Sequence, residues 1–378
     1  MFDSTTCLSS GQGNRGPRQP PHLEWGGTID CSSSAPSRHG VIGPVPDRGN
    51  HALPIALPVM PGENGEDSRD GVPFTNLDDA LFDGADATKR DLIDYLDGVR
   101  DRILPVLEDR PLSVIRVHRG SEAFMQKNLP SYAPPWVRTV RFWAETSKRN
   151  VTYALCNDRR TLLWFANQRA VEYHPTLMRA ERPDRVTHLV LDLDPPAGDG
   201  FKMAVHAARL VRQALADVGL EGAVKTSGAK GVHVFVPIDE EPSLEAAAAA
   251  TRAIAARAER LDPERTTTAF MKEDRAGRVF VDATRVGGAT VVAAFSPRVR
   301  PGTPVSFPVG WDALDDVSPA DFTVHTALRL LGDGDPWAAQ MPSRQQLSQE
   351  LIDEGHAIPL GRVQAMHEGK RRARDRPR

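Results

Sequence analysis

The stretch Thr187-His188-Leu189-Val190-Leu191-Asp192-Leu193-Asp194-Pro195-Pro196 decides the reading of this chain. Apolar residues lead into two aspartates that alternate with leucines. On a strand, alternate side chains share a face, so Asp192 and Asp194 point the same way with Leu191 and Leu193 behind them. Pro195 has no N–H for a ladder and ends the strand just past the pair. Two adjacent carboxylates repel, and one takes up a proton unless a cation lies between them. Mg²⁺ and Mn²⁺ prefer oxygen ligands, and a paired-carboxylate platform suits phosphoryl transfer by two metal ions. Asp-x-Asp is also a common solvated strand end, so the motif by itself does not choose.

Moving outward, the second chemical stretch is Lys225-Thr226-Ser227-Gly228-Ala229-Lys230-Gly231-Val232-His233. It reads as strand, glycine-rich turn and strand. The glycines let backbone amides approach an anion, and Lys225, Lys230, Ser227 and His233 supply charge and hydrogen-bonding groups. It is not a Walker loop, because no Gly-Lys-Ser/Thr opens a helix. An ordinary hairpin with exposed lysines is the competing reading. Val279-Phe280-Val281-Asp282 is a third strand ending in a carboxylate that can complete a metal site. Arg298 and Arg300 are expected on one strand face, as a grip on triphosphate or as surface ion pairs.

The 378 residues are 40% hydrophobic and 26% charged, enough for a substantial core. A net charge of −3 leaves no global basic footprint, so any contact with nucleic acid must be local. Cys7, Cys31 and Cys156 have no metal-ligand or disulfide-framework spacing, which fits a reduced cytoplasmic setting. No apolar run has the length of a membrane span, and no signal peptide opens the chain.

Residues 1–70 are rich in turn formers and poor in periodicity, and are expected to be a disordered, dispensable tail. Order is expected from about Phe74. Thr88 caps a helix carrying Leu92, Leu96 and Val99; strands follow at 112–117, 137–143 and 151–155, then a short helix over 161–170. Residues 201–218 and 243–260 read as helices, and a last helix lies around 345–354. Residues 351–378 form a C-terminal extension whose end, Lys370-Arg371-Arg372-Ala373-Arg374, is basic.

Taken together, these stretches resemble the polymerase domain of bacterial ligase D, within the archaeo-eukaryotic primase-polymerase superfamily. Leu191-Asp192-Leu193-Asp194-Pro195, Lys225-Thr226-Ser227-Gly228-x-Lys230-Gly231-x-His233 and Val281-Asp282 carry the likeness. It extends through Thr88-Lys89-x-Asp91-Leu92, Arg110-Pro111-Leu112, Phe124-x-Gln126-Lys127, Trp164-x-Ala166-Asn167 and His174-Pro175 to Asp335-Pro336-Trp337. The domain it marks out is residues 72–350, with an α+β primase-polymerase fold: mixed and antiparallel sheets flanked by helices, and the active site on central strands.

The resemblance implies a template-dependent nucleotidyltransferase that fills gaps or extends DNA ends in non-homologous end joining, with ribonucleotides preferred. It implies two divalent ions, Mn²⁺ or Mg²⁺, on Asp192, Asp194 and Asp282. It implies nucleotide contacts from His174 (near the sugar), Ser227, Lys230, His233, Arg298 and Arg300. DNA contacts fall to Lys89 and Lys127, toward a downstream 5′-phosphate, and to Phe124, which stacks on the template. The implied partners are DNA ends, gaps or primer-template, NTP or dNTP, Ku and a separate DNA ligase, at the nucleoid of the cytoplasm. A primase starting chains de novo, a non-catalytic end-bridging module and a metal-dependent nuclease are the other functions considered; the lysine-rich glycine hairpin disfavours the nuclease. Three residues depart from the family pattern: Met125 at the second stacking aromatic, Val286 where an Asn follows Arg285, and Phe295 for a frequent tyrosine.

Overall fold

The computed structural model describes residues 67–359, apart from 119–120, 145–147, 199 and 288. The expected tail up to residue 66 and the basic end from residue 360 lie outside the described residues. The ordered part reaches back further than Phe74. Strands β1 (Ser68–Arg69) and β2 (Val72–Pro73) form a small antiparallel hairpin. Arg69 pairs with Asp94 at 2.6 Å and Asp97 at 2.9 Å, which ties this hairpin to the helix over Lys89–Gly98.

Helix α1 (Lys89–Gly98) starts at Thr88, whose side chain and Asp91 form a reciprocal capping box. Helix α2 (Arg100–Leu107) carries Pro105 inside its last turn, and Pro111 follows its end. Strands β3 (Leu112–His118), β4 (Ser121–Gln126), β5 (Thr139–Ala144) and β6 (Arg149–Ala154) come next. Helix α3 (Arg159–Asn167), capped by Asp158, leads to β7 (Ala170–Pro175). These five strands make one sheet, in the order β4-β3-β6-β5 with β7 also on β3.

The second sheet begins with β8 (His188–Asp194), followed by helix α4 (Phe201–Ala216), β9 (Ala223–Thr226) and β10 (Val232–Pro237). Helix α5 (Leu244–Leu261) is capped by Ser243, and β11 (Thr266–Thr267) and β12 (Val279–Asp282) complete the sheet. Its order is β11-β12-β8-β10-β9. Only β11 and β12 run parallel; the other pairs are antiparallel. Helices α6 (Ala327–Leu331), α7 (Pro336–Gln340) and α8 (Gln349–Ala357) finish the described chain.

Alanines of α4 and α5 (Ala204, Ala207, Ala208, Ala250, Ala253) are buried against this sheet; small side chains let helices approach closely over the apolar runs of β8 and β10. The architecture is α+β with mixed and antiparallel sheets flanked by helices, and β8 lies at the centre of its sheet. One local expectation fails. Arg298 and Arg300 are not on a strand: the Arg298 amide bonds Pro304 O and the Arg300 amide bonds Arg298 O, so the segment turns. Pro297 and Pro301, flanking it, limit ladder pairing.

Candidate active site

Register assembles the site. On β8, Asp192 lies opposite His233 of β10 and Asp282 of β12, and His233 in turn lies opposite Lys225 of β9. One cross-strand row therefore reads Lys225, His233, Asp192, Asp282, and cross-strand partners share a face. Asp194 stands two residues along β8 on that same face. All four members of the row are buried.

The row is wired by hydrogen bonds. Lys225 Nζ lies 2.5 Å from Ser306 Oγ and 2.9 Å from His233 Nδ1. His233 Nε2 lies 3.1 Å from Asp192 Oδ1. Arg285 Nη2 reaches Asp192 Oδ2 at 2.9 Å and Asp282 Oδ2 at 3.2 Å. Asp282 Oδ1 accepts from the Thr284 amide and hydroxyl.

These contacts separate the three acids. Burial works against ionisation of Asp192, but His233 and Arg285 overcome it and hold the carboxyl well below the usual range. Asp194 is pushed up to about 7 by burial and by the neighbouring Asp192. Asp282 is raised by burial, against the pull of Arg285. Burial and then Arg298 depress Lys225 far below an ordinary lysine; burial and then Lys225 bring His233 down to about 4.

Among the described residues, no three His, Cys, Asp or Glu side chains already enclose a metal position; Arg285 bridges two of the acids instead. The donor set nonetheless fits a hard dication: carboxylate oxygens only, with the Asp194 carboxyl pushed up by burial and by the neighbouring Asp192, a repulsion that a cation would relieve.

The glycine-rich turn packs onto β8. Gly228 has φ +68°, and a Cβ there would lie 2.6 Å from Arg298 Cγ. A Cβ on Gly231 would lie 2.5 Å from Leu193 O, so neither position accepts a side chain. Ser227 Oγ accepts from the amides of Ala229 and Gly231, so it shapes the turn. Lys230 Nζ donates to Pro196 O at 3.1 Å, tying the turn to the end of β8.

A cleft of about 1270 Å³ joins the two sheets. Asp192, Asp194, Ser227, Lys230, His233, Arg285, Arg298 and Arg300 line it; so do His174 and Phe124 from the other sheet and Lys127 just past the end of β4. Phe124, on edge strand β4, is 38% exposed; it stacks on His118 with ring centres 5.3 Å apart. Lys127 is exposed. Met125 lines the cleft where the family pattern has its second aromatic.

Lys89, expected toward DNA, does not line this cleft. It is 3% exposed, and its ammonium donates to Thr75 O at 2.6 Å. At the first position of α1, its stem follows the chain back to Thr75 instead of pointing outward. Burial and then Arg169 lower it to about 8.

Sequence reading missed Glu172. Its carboxylate lies between His174 Nε2 (2.8 Å), Arg298 Nε (3.1 Å) and the Val299 amide (2.8 Å). Glu172-x-His174 has the same alternate spacing as Asp192-x-Asp194, which is the available clue. Lys225 and Arg285 were noticed, but not as partners of the acids; Ser306 carried no local sign.

Antiparallel carboxylate strands, a glycine turn with lysine and histidine, and an open cleft between two sheets define a nucleotidyltransferase of the primase-polymerase type. More closely, the model of the LigD primase-polymerase domain matches residues 88–337, and this chain belongs to that family. It is 34% identical over 272 residues to the bifunctional non-homologous end joining protein LigD of Bacillus subtilis, covering 70% of this chain and 43% of that protein. It is 36% identical over 287 residues to the multifunctional end joining DNA repair protein LigD of Mycobacterium tuberculosis, covering 72% and 37%. The chain thus spans less than half the length of these two relatives. The solved polymerase domain of M. tuberculosis ligase D, in complex with DNA, matches with a TM-score of 0.65 and 34% identity, over 72% of this chain and 99% of that one.

Proposed function

We propose that the chain is a template-dependent polymerase that fills gaps or extends ends in non-homologous end joining, with ribonucleotides preferred. The observation that carries this is the row Lys225, His233, Asp192, Asp282, of which His233 and Asp192, with Asp194 beside them, line a cleft that Phe124 and Lys127 also line. The end-joining role is supported by the relatives that share the domain, and the DNA by the solved relative's bound state.

Asp192, Asp194 and Asp282 would hold two Mn²⁺ or Mg²⁺ ions. Such ions lower the pKa of a primer 3′-hydroxyl and offset charge on the leaving pyrophosphate. The chain itself supplies position and charge. His233 and Arg285 keep Asp192 ionised and fixed, so that it is ready as an anionic ligand. The Ser227–Gly231 turn would take a triphosphate at its Gly228 and Lys230 amides, with Lys230 and Arg298 beside it as cations. Arg298 donates to Ser227 O and thereby locks the turn against the 298–300 segment. His174 faces the sugar. Phe124 stacks on a template base, and Lys127 meets a downstream 5′-phosphate. Ku and a separate ligase are the expected partners at the nucleoid. Among the described residues, no helix is long and apolar enough to cross a membrane.

Primer extension with ribo- and deoxynucleotides, in Mn²⁺ and in Mg²⁺, tests the reading. Gap-dependent incorporation supports it. Synthesis without a primer would replace it with a primase. Tight DNA binding with no incorporation would replace it with an end-bridging module.

A further inference from the structure

Glu172 is 3% exposed and has three partners around one carboxylate. Oε2 lies 2.8 Å from His174 Nε2 and 3.1 Å from Arg298 Nε, and Oε1 accepts from the Val299 amide at 2.8 Å. The Arg298 contact is an ion pair without hydrogen-bond alignment, since Nε of that guanidinium makes no hydrogen bond. Glu172 therefore joins β7 to the 298–300 segment, and both elements line the cleft.

An ionised carboxylate only accepts hydrogen bonds. Glu172 stays ionised: burial pushes its carboxyl up, but Arg298 and His174 bring it down to about 2. The proton on the His174 ring must then lie on Nε2. Burial lowers His174 below an ordinary histidine despite Glu172, so the ring is neutral near pH 7 and Nδ1 is a lone-pair acceptor.

We propose that Glu172 is a positioning residue for sugar choice: by fixing His174 in its Nε2–H tautomer, it presents Nδ1 as an acceptor for the 2′-hydroxyl of the incoming nucleotide. This rests on the reading in which His174 faces the sugar while Arg298 and the glycine-rich turn take the triphosphate. One buried carboxylate sets both neighbours, so sugar and phosphate contacts keep a fixed spacing. A 2′-deoxy sugar offers no donor to Nδ1. A glutamine at position 172 can donate to Nε2 through its amide, which moves the ring proton to Nδ1 and turns the acceptor into a donor.

The test compares ribo-, 2′-deoxy- and 2′-fluoro-nucleotides in single-nucleotide extension by wild type and Glu172→Gln. The same nucleotides are compared by the rise in melting temperature they cause. Wild type is expected to favour ribo over deoxy and to treat 2′-fluoro, which cannot donate, like deoxy. Glu172→Gln is expected to lower the ribo-to-deoxy ratio of kcat/KM by about tenfold, the loss of one hydrogen bond's discrimination. Weaker phosphate binding through Arg298 would lower both nucleotides alike and leave the ratio untouched, so the ratio separates tautomer control from a packing defect. An unchanged ratio in a folded Glu172→Gln protein overturns the inference, as does 2′-fluoro use equal to ribo by wild type. The 2′-fluoro arm needs no variant and stands even if Glu172→Gln fails to fold. Extension without any sugar preference overturns the inference and leaves the polymerase in place. Ribose-selective thermal shifts without extension support the inference and remove the polymerase.

Discussion

The central row of the β8 sheet and the edge strand β4 of the β3 sheet, which line the same cleft, handle charge in opposite ways. On the β8 sheet, Lys225, His233, Asp192 and Asp282 are buried; Lys225 bonds His233, His233 bonds Asp192, and Arg285 bridges Asp192 to Asp282. On the β3 sheet, the edge strand β4 leaves Phe124 exposed, and Lys127 beyond it is exposed too. The first arrangement suits a site that must hold charges within fractions of an ångström. The second suits a strand of nucleic acid whose bases change at every step, where stacking and one solvated cation tolerate any sequence. Substitutions in the β8 row should therefore strike rate, and those on the edge strand β4 and just beyond it should strike affinity.

The largest effect is expected from Asp282→Ala. Loss of one carboxylate removes a metal ligand and several kcal/mol of charge stabilisation, so Mn²⁺-dependent single-nucleotide extension should drop about a thousandfold or more. Circular dichroism should be unchanged. Near-normal extension by the folded variant would remove Asp282 from the site and break the contrast between the sheets.

Lys225→Met comes next. The neutral side chain fills similar space but leaves His233 Nδ1 without its partner. Extension should fall by about ten- to a hundredfold, as for other residues that orient a ligand. The melting temperature should hold or rise, because a buried amine is removed. A fall in stability with normal rate would make Lys225 purely structural.

Glu172 tests the same idea through pH. Its folded-state value, about 2, is below the ordinary 4.5. The stabilisation is thus fully present above about pH 4.5 and is lost as pH falls toward 2, up to about 3 kcal/mol. The wild-type melting temperature should therefore drop more steeply than that of Glu172→Gln as pH falls from about 4.5 toward about 2. Parallel curves would refute a buried, ionised Glu172.

On the outer sheet the effects are smaller. Phe124→Ala should weaken template affinity by about 1–3 kcal/mol while sparing the rate at saturating DNA. Lys127→Ala should reduce the salt slope of DNA binding by about 1 and erase any preference for a 5′-phosphorylated gap. Lys89→Ala should leave both unchanged and instead lower stability by about 1–2 kcal/mol, through its lost bonds to Thr75. A change in salt slope with Lys89→Ala would return that lysine to the DNA face.

The smallest effect concerns the chain start. Beginning at Val72 removes Arg69 and its pairs with Asp94 and Asp97; the expected loss is about 1 kcal/mol with activity kept. Beginning at Asp67 should cost nothing. Equal melting temperatures for the two would return residues 67–70 to the tail.

Some of this was legible in the residues alone. Asp192-Leu193-Asp194 before Pro195 announces a strand that ends with two acids on one face, because strand periodicity is a local property. Thr88 with Asp91 marks the start of α1, and alanine-rich runs mark α4 and α5, for equally local reasons. Glycines at 228 and 231 mark a turn that another backbone approaches. The resemblance then linked Asp282 to the pair across some ninety intervening residues, as local pattern alone does not.

Other features depend on which strands become neighbours. The row from Lys225 to Asp282 exists only because β8 lies between β10 and β12 in one particular register, and a shift of one residue would turn every member to the opposite face. Lys89 and Lys127 are the same residue type in equally suggestive positions, yet one ammonium is turned in to Thr75 and the other is exposed. Arg298 reads as half of a strand-borne pair, but tertiary contacts fold it back onto Glu172 and Ser227. By itself, then, the sequence determined the elements, the acids and the family, since periodicity, capping and motif order are written in neighbouring residues. Only the tertiary structure decided which charges meet, because burial and pairing depend on partners from distant segments, and those partners set each group's protonation and reach.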